Sequence, residues 1–232
     1  ISKKPKKKDY AILNTNNSYI KKNMLNKIFL QKIIKVKSEL SPLVLKKINN
    51  PYFVTEGNRE NLLFVVEIAK IYKIKNKNLF EVLNKFKGLK YRQEIIFKSK
   101  YLTIINDSKA TSFSSSVSIL KSMSNVLWIV GGLAKKKDRF LLSKNNCKKF
   151  KAYIFGKNKS FFISELKDIV KYETFSNLKI LIKKVFSDIE KNKNQKHNTI
   201  LFSPAAASFD NFKNFEERGE YFNNLIKQKI NV

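Results

Sequence analysis

The 232-residue chain contains one cysteine, one histidine, four prolines and six glycines. A single cysteine, Cys147, excludes an internal disulfide and suits a reducing cytoplasm. It reads as a packing or surface residue rather than a reactive one. His197 lies in a polar loop, and no Ser-His-Asp triad or His/Cys metal cluster can be built around it. No apolar run is long enough to span a bilayer, so no transmembrane helix is expected. The opening Ile1-Ser-Lys-Lys-Pro-Lys-Lys-Lys8 has no apolar stretch behind its basic residues, unlike a signal peptide. It begins with isoleucine rather than methionine, which predicts a piece of a longer protein. No Gly-x-x-Gly-Lys-Ser/Thr phosphate loop occurs in the 232 residues.

Acidic residues are also scarce, 18 against 48 basic ones, giving a formal charge of +30. Such charge points first to a nucleic-acid partner. The arginines argue against it. They occur only at Arg59, Arg92, Arg139 and Arg218, and the lysines are spread along the whole length. With abundant Asn and Ile and little Gly or Pro, this pattern reflects AT-rich codon usage. Nucleic-acid surfaces instead concentrate Arg and Lys on one face among stacking aromatics. Neither a nucleic-acid nor a membrane partner is expected. A hydrophobic content of 43% and an aromatic content of 12% support a substantial core, in one large or two small domains.

Along the chain, Asp9 to Asn14 reads as a short strand ending in the polar turn Thr15-Asn16-Asn17. Ile28 to Leu40 holds a second strand, favoured by Ile33, Ile34 and Val36. Glu56-Gly-Asn-Arg-Glu-Asn61 opens a helix, and an amphipathic helix over Asn78 to Phe86 ends at Gly88. A domain boundary falls near Gly88-Leu89-Lys90, dividing the chain into 1–89 and 90–232. Beyond it, a hairpin of Gln93–Phe97 and Tyr101–Ile105 leads into alternating strands and helices. The predicted strands are Val126–Val130, Ala152–Phe155 and Thr199–Phe202. The predicted helices are 111–123, a short one near Phe140 to Leu142, then 160–170, 176–192 and 214–228. Asn192 to Asn198 is polar and loop-like. Repeated βα units imply an α/β fold with a mostly parallel, doubly wound sheet.

Four of these strands end in polar or small residues. They are Asn106-Asp107-Ser108-Lys109, Gly131-Gly132-Leu133-Ala134-Lys135, Phe155-Gly156-Lys157, and Ser203-Pro204-Ala-Ala-Ala-Ser208. A parallel sheet gathers such ends on one edge, where ligands bind. Asp107 can accept two hydroxyl hydrogen bonds, as a ribose requires, and Lys109 can reach a phosphate. Gly131-Gly132 lets the backbone approach a ligand, with Lys135 within reach. The alternatives are an ordinary capped turn at 106–111 and a solvated charge run at Lys135-Lys136-Lys137. Asn58 and Asn61 share a face of their helix, fit either for ligand contact or for capping. Arg92 suits either a bidentate phosphate contact or a surface ion pair.

Five stretches occur in a telling order: Glu56-Gly-Asn-Arg-Glu-Asn61, Phe86-Lys-Gly-Leu-Lys-Tyr-Arg92, Asn106-Asp-Ser-Lys-Ala-Thr111, Gly131-Gly132 with Lys135, and Ser203-Pro-Ala-Ala-Ala-Ser-Phe-Asp-Asn-Phe-Lys-Asn-Phe-Glu-Glu-Arg-Gly219. Together they resemble the D-glutamate-adding branch of the Mur ligases, from about residue 9 to the C-terminus. The resemblance implies the end of a central ATPase domain at 1–89 and a Rossmann-like C-terminal domain at 90–232. It implies ATP and magnesium as cofactors, with UDP-N-acetylmuramoyl-L-alanine and D-glutamate as substrates. The chemistry it implies is an acyl phosphate attacked by the D-glutamate amine. The magnesium ligands of that family would lie upstream of Ile1.

By the same resemblance, Asn58, Asn61, Arg92, Asp107 and Lys109 bind ATP. Thr111, Lys135, Ser208, Phe209 and Phe215 bind D-glutamate, and Lys109 and Lys135 are the catalytic cations. Tyr91 departs from the family's usual histidine before that arginine. Ala206 replaces a frequent cysteine and Phe209 a frequent leucine. A cytoplasmic enzyme, monomeric at full length, is implied, with this chain inactive by itself. The competing readings are another Mur or folylpolyglutamate-synthase-type ligase and, from a different class, a basic nucleic-acid-binding protein.

Overall fold

A computed structural model describes residues 9–15, 17–24, 32–36, 39–54, 56–191 and 197–230. The basic lead-in at 1–8, Asn16, the flanks of the second strand at 28–31 and 37–38, and most of the 192–198 loop lie outside the described residues. The chain divides into two compact units, Ile1–Phe86 and Lys87–Val232.

In the first unit, strands β1 (Tyr10–Leu13) and β2 (Lys32–Lys35) pair in parallel. Helix α1 (Ser18–Met24) follows the polar turn after β1, and α2 is the short Pro42–Leu45. Proline presets the backbone angle at the start of α2. A 3-10 turn, Pro51–Val54, leads into α3 (Glu56–Ile71), and α4 is Asn76–Lys85. Their core is Phe53, Leu62, Val66 and Leu83, with Tyr52 and Leu79 packed against it. The Asn50 side-chain amide donates to the carbonyls of Leu83 and Phe86, at 2.8 and 2.6 Å. It therefore adds a side-chain bond at the C-terminal end of α4, where the Leu83 carbonyl also accepts the Phe86 N–H at 3.4 Å.

The second unit is a six-stranded sheet between two helical layers. Its strands are β3 (Glu94–Lys98), β4 (Leu102–Asn106), β5 (Val126–Gly131), β6 (Phe150–Phe155), β7 (Lys171–Thr174) and β8 (Asn198–Phe202). Its helices are α5 (Phe113–Lys121), α6 (Lys144–Cys147), α7 (Lys159–Leu166), α8 (Leu178–Lys191) and α9 (Phe215–Ile230). The spatial order is β3-β4-β8-β5-β6-β7, with only β3 antiparallel. Alternate strand residues serve opposite layers, as the pleat requires. Ile105, Trp128, Val130, Ile154 and Leu201 meet α5 and α7 in one core. Ile104, Ile129, Tyr153, Ile200 and Phe202 meet α8 and α9 in the other.

Two expectations need correction. Phe140 to Leu142 is not helical, and the short helix is α6, Lys144–Cys147. Phe140 and Leu142 are both buried while Leu141 between them is 83% exposed, which is the alternation of extended chain. Strand β7 also runs in the gap between the expected helices 160–170 and 176–192, where no strand was expected. It is a four-residue edge strand, and neither of its end residues, Lys171 and Thr174, is buried, so it carries little hydrophobic signal.

Candidate active site on the C-terminal edge of the sheet

Strands β4 and β8 are neighbours, yet the chain leaves them toward opposite layers. After β4 it passes to α5 in one core, and after β8 to α9 in the other. Their loops must part, which opens a crevice at the strand ends. Asp107 stands in it. Its N–H donates to the Phe202 carbonyl at 2.7 Å. Its Oδ2 accepts from Ser203 Oγ at 2.9 Å and its Oδ1 from the Gln93 N–H at 3.1 Å. Burial pushes its carboxyl from 3.8 up to about 7, against the opposing pull of Ser203, the Gln93 N–H and the positive charges of Arg92 and Arg218.

The turn after Asp107 is held by residues that sequence reasoning passed over. Asn106 Oδ1 accepts the Ser108 N–H at 3.0 Å, an Asx turn, while its amide donates to the Gly219 carbonyl and Asn223 Oδ1 of α9. Ser108 Oγ donates to the Phe215 carbonyl at 2.8 Å. Arg218, fully buried, donates from Nη2 to the carbonyls of Ser108 and Ala206 at 2.6 and 2.9 Å, and from Nε to Ser108 Oγ at 3.1 Å. One guanidinium thus ties the β4 loop, the β8 loop and α9 together, as its rigid fork of donors allows. Its Nη1 has no partner among the described residues and lies 3.2 Å from where a Gly132 Cβ would stand. Burial lowers its pKa to about 10, so it remains charged at neutral pH. As one of only four arginines it had a sequence signal, but its partners did not.

The expected residues fall as follows. Lys109 is half-buried, with Nζ 3.8 Å from the centroid of the Phe215 ring. Thr111 is exposed, beside Ala110, whose carbonyl accepts the Ala206 N–H at 3.3 Å. Leu133 and Ala207 exchange two backbone hydrogen bonds, so the loop carrying Lys135 runs alongside the one carrying Ser208. Asn158, beyond β6, fixes that loop through the Ala134 N–H at 2.9 Å. Lys135 is exposed, Ser208 is buried, and Phe209 is 70% exposed. Arg92 is exposed on the segment that reaches Asp107 through Gln93. The edge therefore gathers Arg92, Asp107, Lys109, Thr111, Lys135, Ser208, Phe209 and Phe215.

Asn58 and Asn61 belong to α3 in the other unit. Asn58 is buried and its amide donates to the Tyr52 carbonyl at 2.8 Å, whereas Asn61 is exposed. The two carboxamides lie three positions apart on the helix, one buried and one exposed. Ser112 precedes α5 without capping it through its side chain. Asp138 does so instead, accepting the Phe113 N–H at 2.7 Å. Among the described residues, no group of three or more His, Cys, Asp or Glu side chains could hold a metal ion. His197 bonds Thr103 Oγ1 and the Lys100 carbonyl. Cys147 is buried, and burial pushes its thiol up to about 11.

The glycines at the end of β5 are demanded by this crowding. Gly131 has φ 133°, and a Cβ there would lie 2.0 Å from the Phe155 carbonyl oxygen. Gly132 has φ 131°, with the Ala207 carbonyl 2.8 Å from the Cβ position. Neither site accepts a side chain without moving backbone.

Comparison with known proteins places this edge in context. A UDP-N-acetylmuramoylalanine–D-glutamate ligase from Wolbachia sp. subsp. Brugia malayi is 36% identical over 172 residues, 74% of this chain and 34% of the relative. One from Prochlorococcus marinus is 37% identical over 187 residues, 75% of this chain and 38% of the relative. The chain is a Mur ligase homologue. A third such ligase, from Rickettsia prowazekii, is 29% identical over 244 residues, covering 96% of this Mur ligase homologue and 54% of the relative. The homologue thus spans about a third to a half of the length of these curated relatives. No family model matches it. In fold it is similar to the MurF of Acinetobacter baumannii, with a TM-score of 0.52 and 14% identity over 75% of this chain and 38% of that one. It is also similar to the UDP-N-acetylmuramate-alanine ligase MurC of Thermotoga maritima, with a TM-score of 0.50, 15% identity, and coverage of 75% and 39%.

Proposed function

We propose that this chain supplies the C-terminal wall of an ATP-dependent ligase that joins D-glutamate to UDP-N-acetylmuramoyl-L-alanine in peptidoglycan precursor synthesis. Residues 1–89 are the end of a central ATPase domain and 90–232 the C-terminal domain. The observation that carries this reading is Asp107 in the β4/β8 crevice, with Lys109 and Thr111 on the same turn and Lys135 on the neighbouring loop. In the reaction, ATP phosphorylates the alanyl carboxylate and releases ADP. The D-glutamate amine then attacks the acyl phosphate, loses a proton, and expels phosphate from the tetrahedral intermediate. Asp107 holds the ribose hydroxyls, and Lys109 and Arg92 offset phosphate charge. Asn58 and Asn61 are further nucleotide contacts. Thr111, Lys135, Ser208 and the backbone at Phe209 and Phe215 hold the dianionic amino acid. Lys135 also faces the oxyanion as it develops. Among the described residues no group of three or more His, Cys, Asp or Glu side chains is suited to hold magnesium.

The enzyme is expected in the cytoplasm, where its nucleotide substrates are, and as a monomer at full length. No helix among the described residues is long and apolar enough to cross a membrane. Isothermal titration of the chain with ATP tests the nucleotide half of the proposal. Asp107→Asn should abolish measurable binding, Lys109→Ala should weaken it, and Lys149→Ala should leave it unchanged. Wild-type affinity in Asp107→Asn would overturn the ribose assignment. Equal response to D- and L-glutamate would overturn the amino-acid assignment.

A further inference from the structure

The segment before β3 has an unusual backbone. Tyr91 has φ 61° and Gln93 φ 50°, so two non-glycine residues within three positions are left-handed. A bulky side chain there is an outlier that persists only where its surroundings fix it. Here they do. Leu89 and Arg92 form a bridge, with the Arg92 N–H 3.1 Å from the Leu89 carbonyl. The Tyr91 N–H donates to Glu94 Oε2 at 2.9 Å and its carbonyl accepts the Lys109 N–H at 3.0 Å. The Gln93 N–H donates to Asp107.

The side chain of Tyr91 is a further anchor. Its hydroxyl donates to Glu220 Oε2 of α9 at 2.8 Å, and the residue is 8% exposed. Its ring lies flush against α9 at Gly219, where a Cβ would stand 2.3 Å from a ring carbon. Gly219 therefore leaves the space that Tyr91 fills, despite the cost of glycine inside a helix. Burial and the neighbouring carboxylates push the phenol up to about 12, so it stays a donor at neutral pH.

We propose that Tyr91 is a positioning residue, which locks the 89–93 segment onto α9 so that Arg92 and the Lys109 turn present their cations to the same phosphate-bearing ligand. Arg92 sits between two immobilised neighbours, and its own side chain makes none of these anchoring bonds. The lock costs Arg92 nothing in free charge and removes backbone freedom that binding would otherwise have to remove. This inference rests on the reading of the edge as a nucleotide site.

The test is a double-mutant cycle on the full chain, read by binding of ATP and, separately, of adenosine. Tyr91→Phe keeps the ring and removes the bond to Glu220, and Glu220→Ala removes the same bond from an exposed residue without touching the ring. Each should lower ATP affinity by up to about tenfold, leave adenosine affinity unchanged, and add to Arg92→Ala by less than its full effect, the remainder acting through Lys109. Loss of adenosine and ATP binding together, or an effect that adds in full to Arg92→Ala, would mean that Tyr91 is structural only and overturn the proposal. Wild-type ATP affinity in Arg92→Ala would instead show the nucleotide reading of Arg92 to be wrong, and the positioning role with it. Hydrogen exchange at the 89–93 amides separates the cases independently, since the lock requires faster exchange in both hydroxyl-bond variants.

Discussion

Asp107→Asn probes the claim that a charge is held in the crevice at a cost to stability. The side chain is 5% exposed and accepts hydrogen bonds from Ser203 and the Gln93 N–H. Its pKa rises from 3.8 to about 7. At about 1.4 kcal/mol per pK unit, the ionised form costs the folded state roughly 4 kcal/mol relative to the protonated one. Because the folded value lies above the unfolded one, the folded chain holds a proton that the unfolded chain has released. The stability contributed by this group is therefore full below pH 4 and is lost as pH rises through about 7. Between pH 5 and pH 8 the loss is about 3 kcal/mol, or roughly 6–12 °C in Tm for a domain of this size. Asparagine has the same shape. Its oxygen can accept from Gln93 and its amide can donate to Ser203 Oγ, which already lies 2.7 Å from Ser116 Oγ. Thermal denaturation of parent and variant at both pH values reads the effect, since the other groups cancel in the difference. The variant should be the more stable at pH 8, and its advantage should shrink by about 3 kcal/mol at pH 5. An advantage independent of pH would refute the reasoning.

Other consequences follow from the same contacts. If ribose hydroxyls bind the ionised Asp107, ATP affinity should rise with pH up to about 7 and level off above it, by titration calorimetry. Gly131→Ala drives a Cβ into the Phe155 carbonyl and should cost more than about 3 kcal/mol in urea denaturation. Arg218→Met removes a buried cation but strands the Ser108 and Ala206 carbonyls, and should cost about 2–5 kcal/mol by the same measurement. The 232-residue chain, which has no phosphate-loop motif, should show no phosphate release dependent on ATP and D-glutamate. Turnover in a coupled phosphate assay would contradict that.

Much of the fold could be read from apolar runs. Ile104-Ile105, Trp128 to Val130 and Ile200 to Phe202 lie in strands buried on both faces, which makes them continuous in sequence. The edge strand Lys171–Thr174 lacked that signal, and Phe140 to Leu142 looked helical because three apolar residues in a row hide a period of two. At the candidate site, residues with their own local motif were legible: Asp107 after a strand, Gly131-Gly132 in a glycine-poor chain. The residues that position them were not. Arg218 reaches Ser108 across 110 residues and Ser203 reaches Asp107 across 96, so their roles exist only after folding. The preference of Asp138 over Ser112 as the cap of α5 is of the same kind.

The C-terminal edge of this sheet is proposed to hold ATP and D-glutamate side by side. Backbone amide chemical shifts of the labelled chain, followed during separate titrations with ATP and with each enantiomer of glutamate, test this most directly. ATP should move the amides of 91–93 and 106–109. D-glutamate should move those of 111, 132–135 and 207–215, with a weaker response to L-glutamate. The amides at the opposite edge, near Asn125, Lys149 and Lys171, should stay still for both ligands. Shifts confined to that opposite edge, or scattered with the lysines, would contradict a shared site for the two ligands at the C-terminal edge.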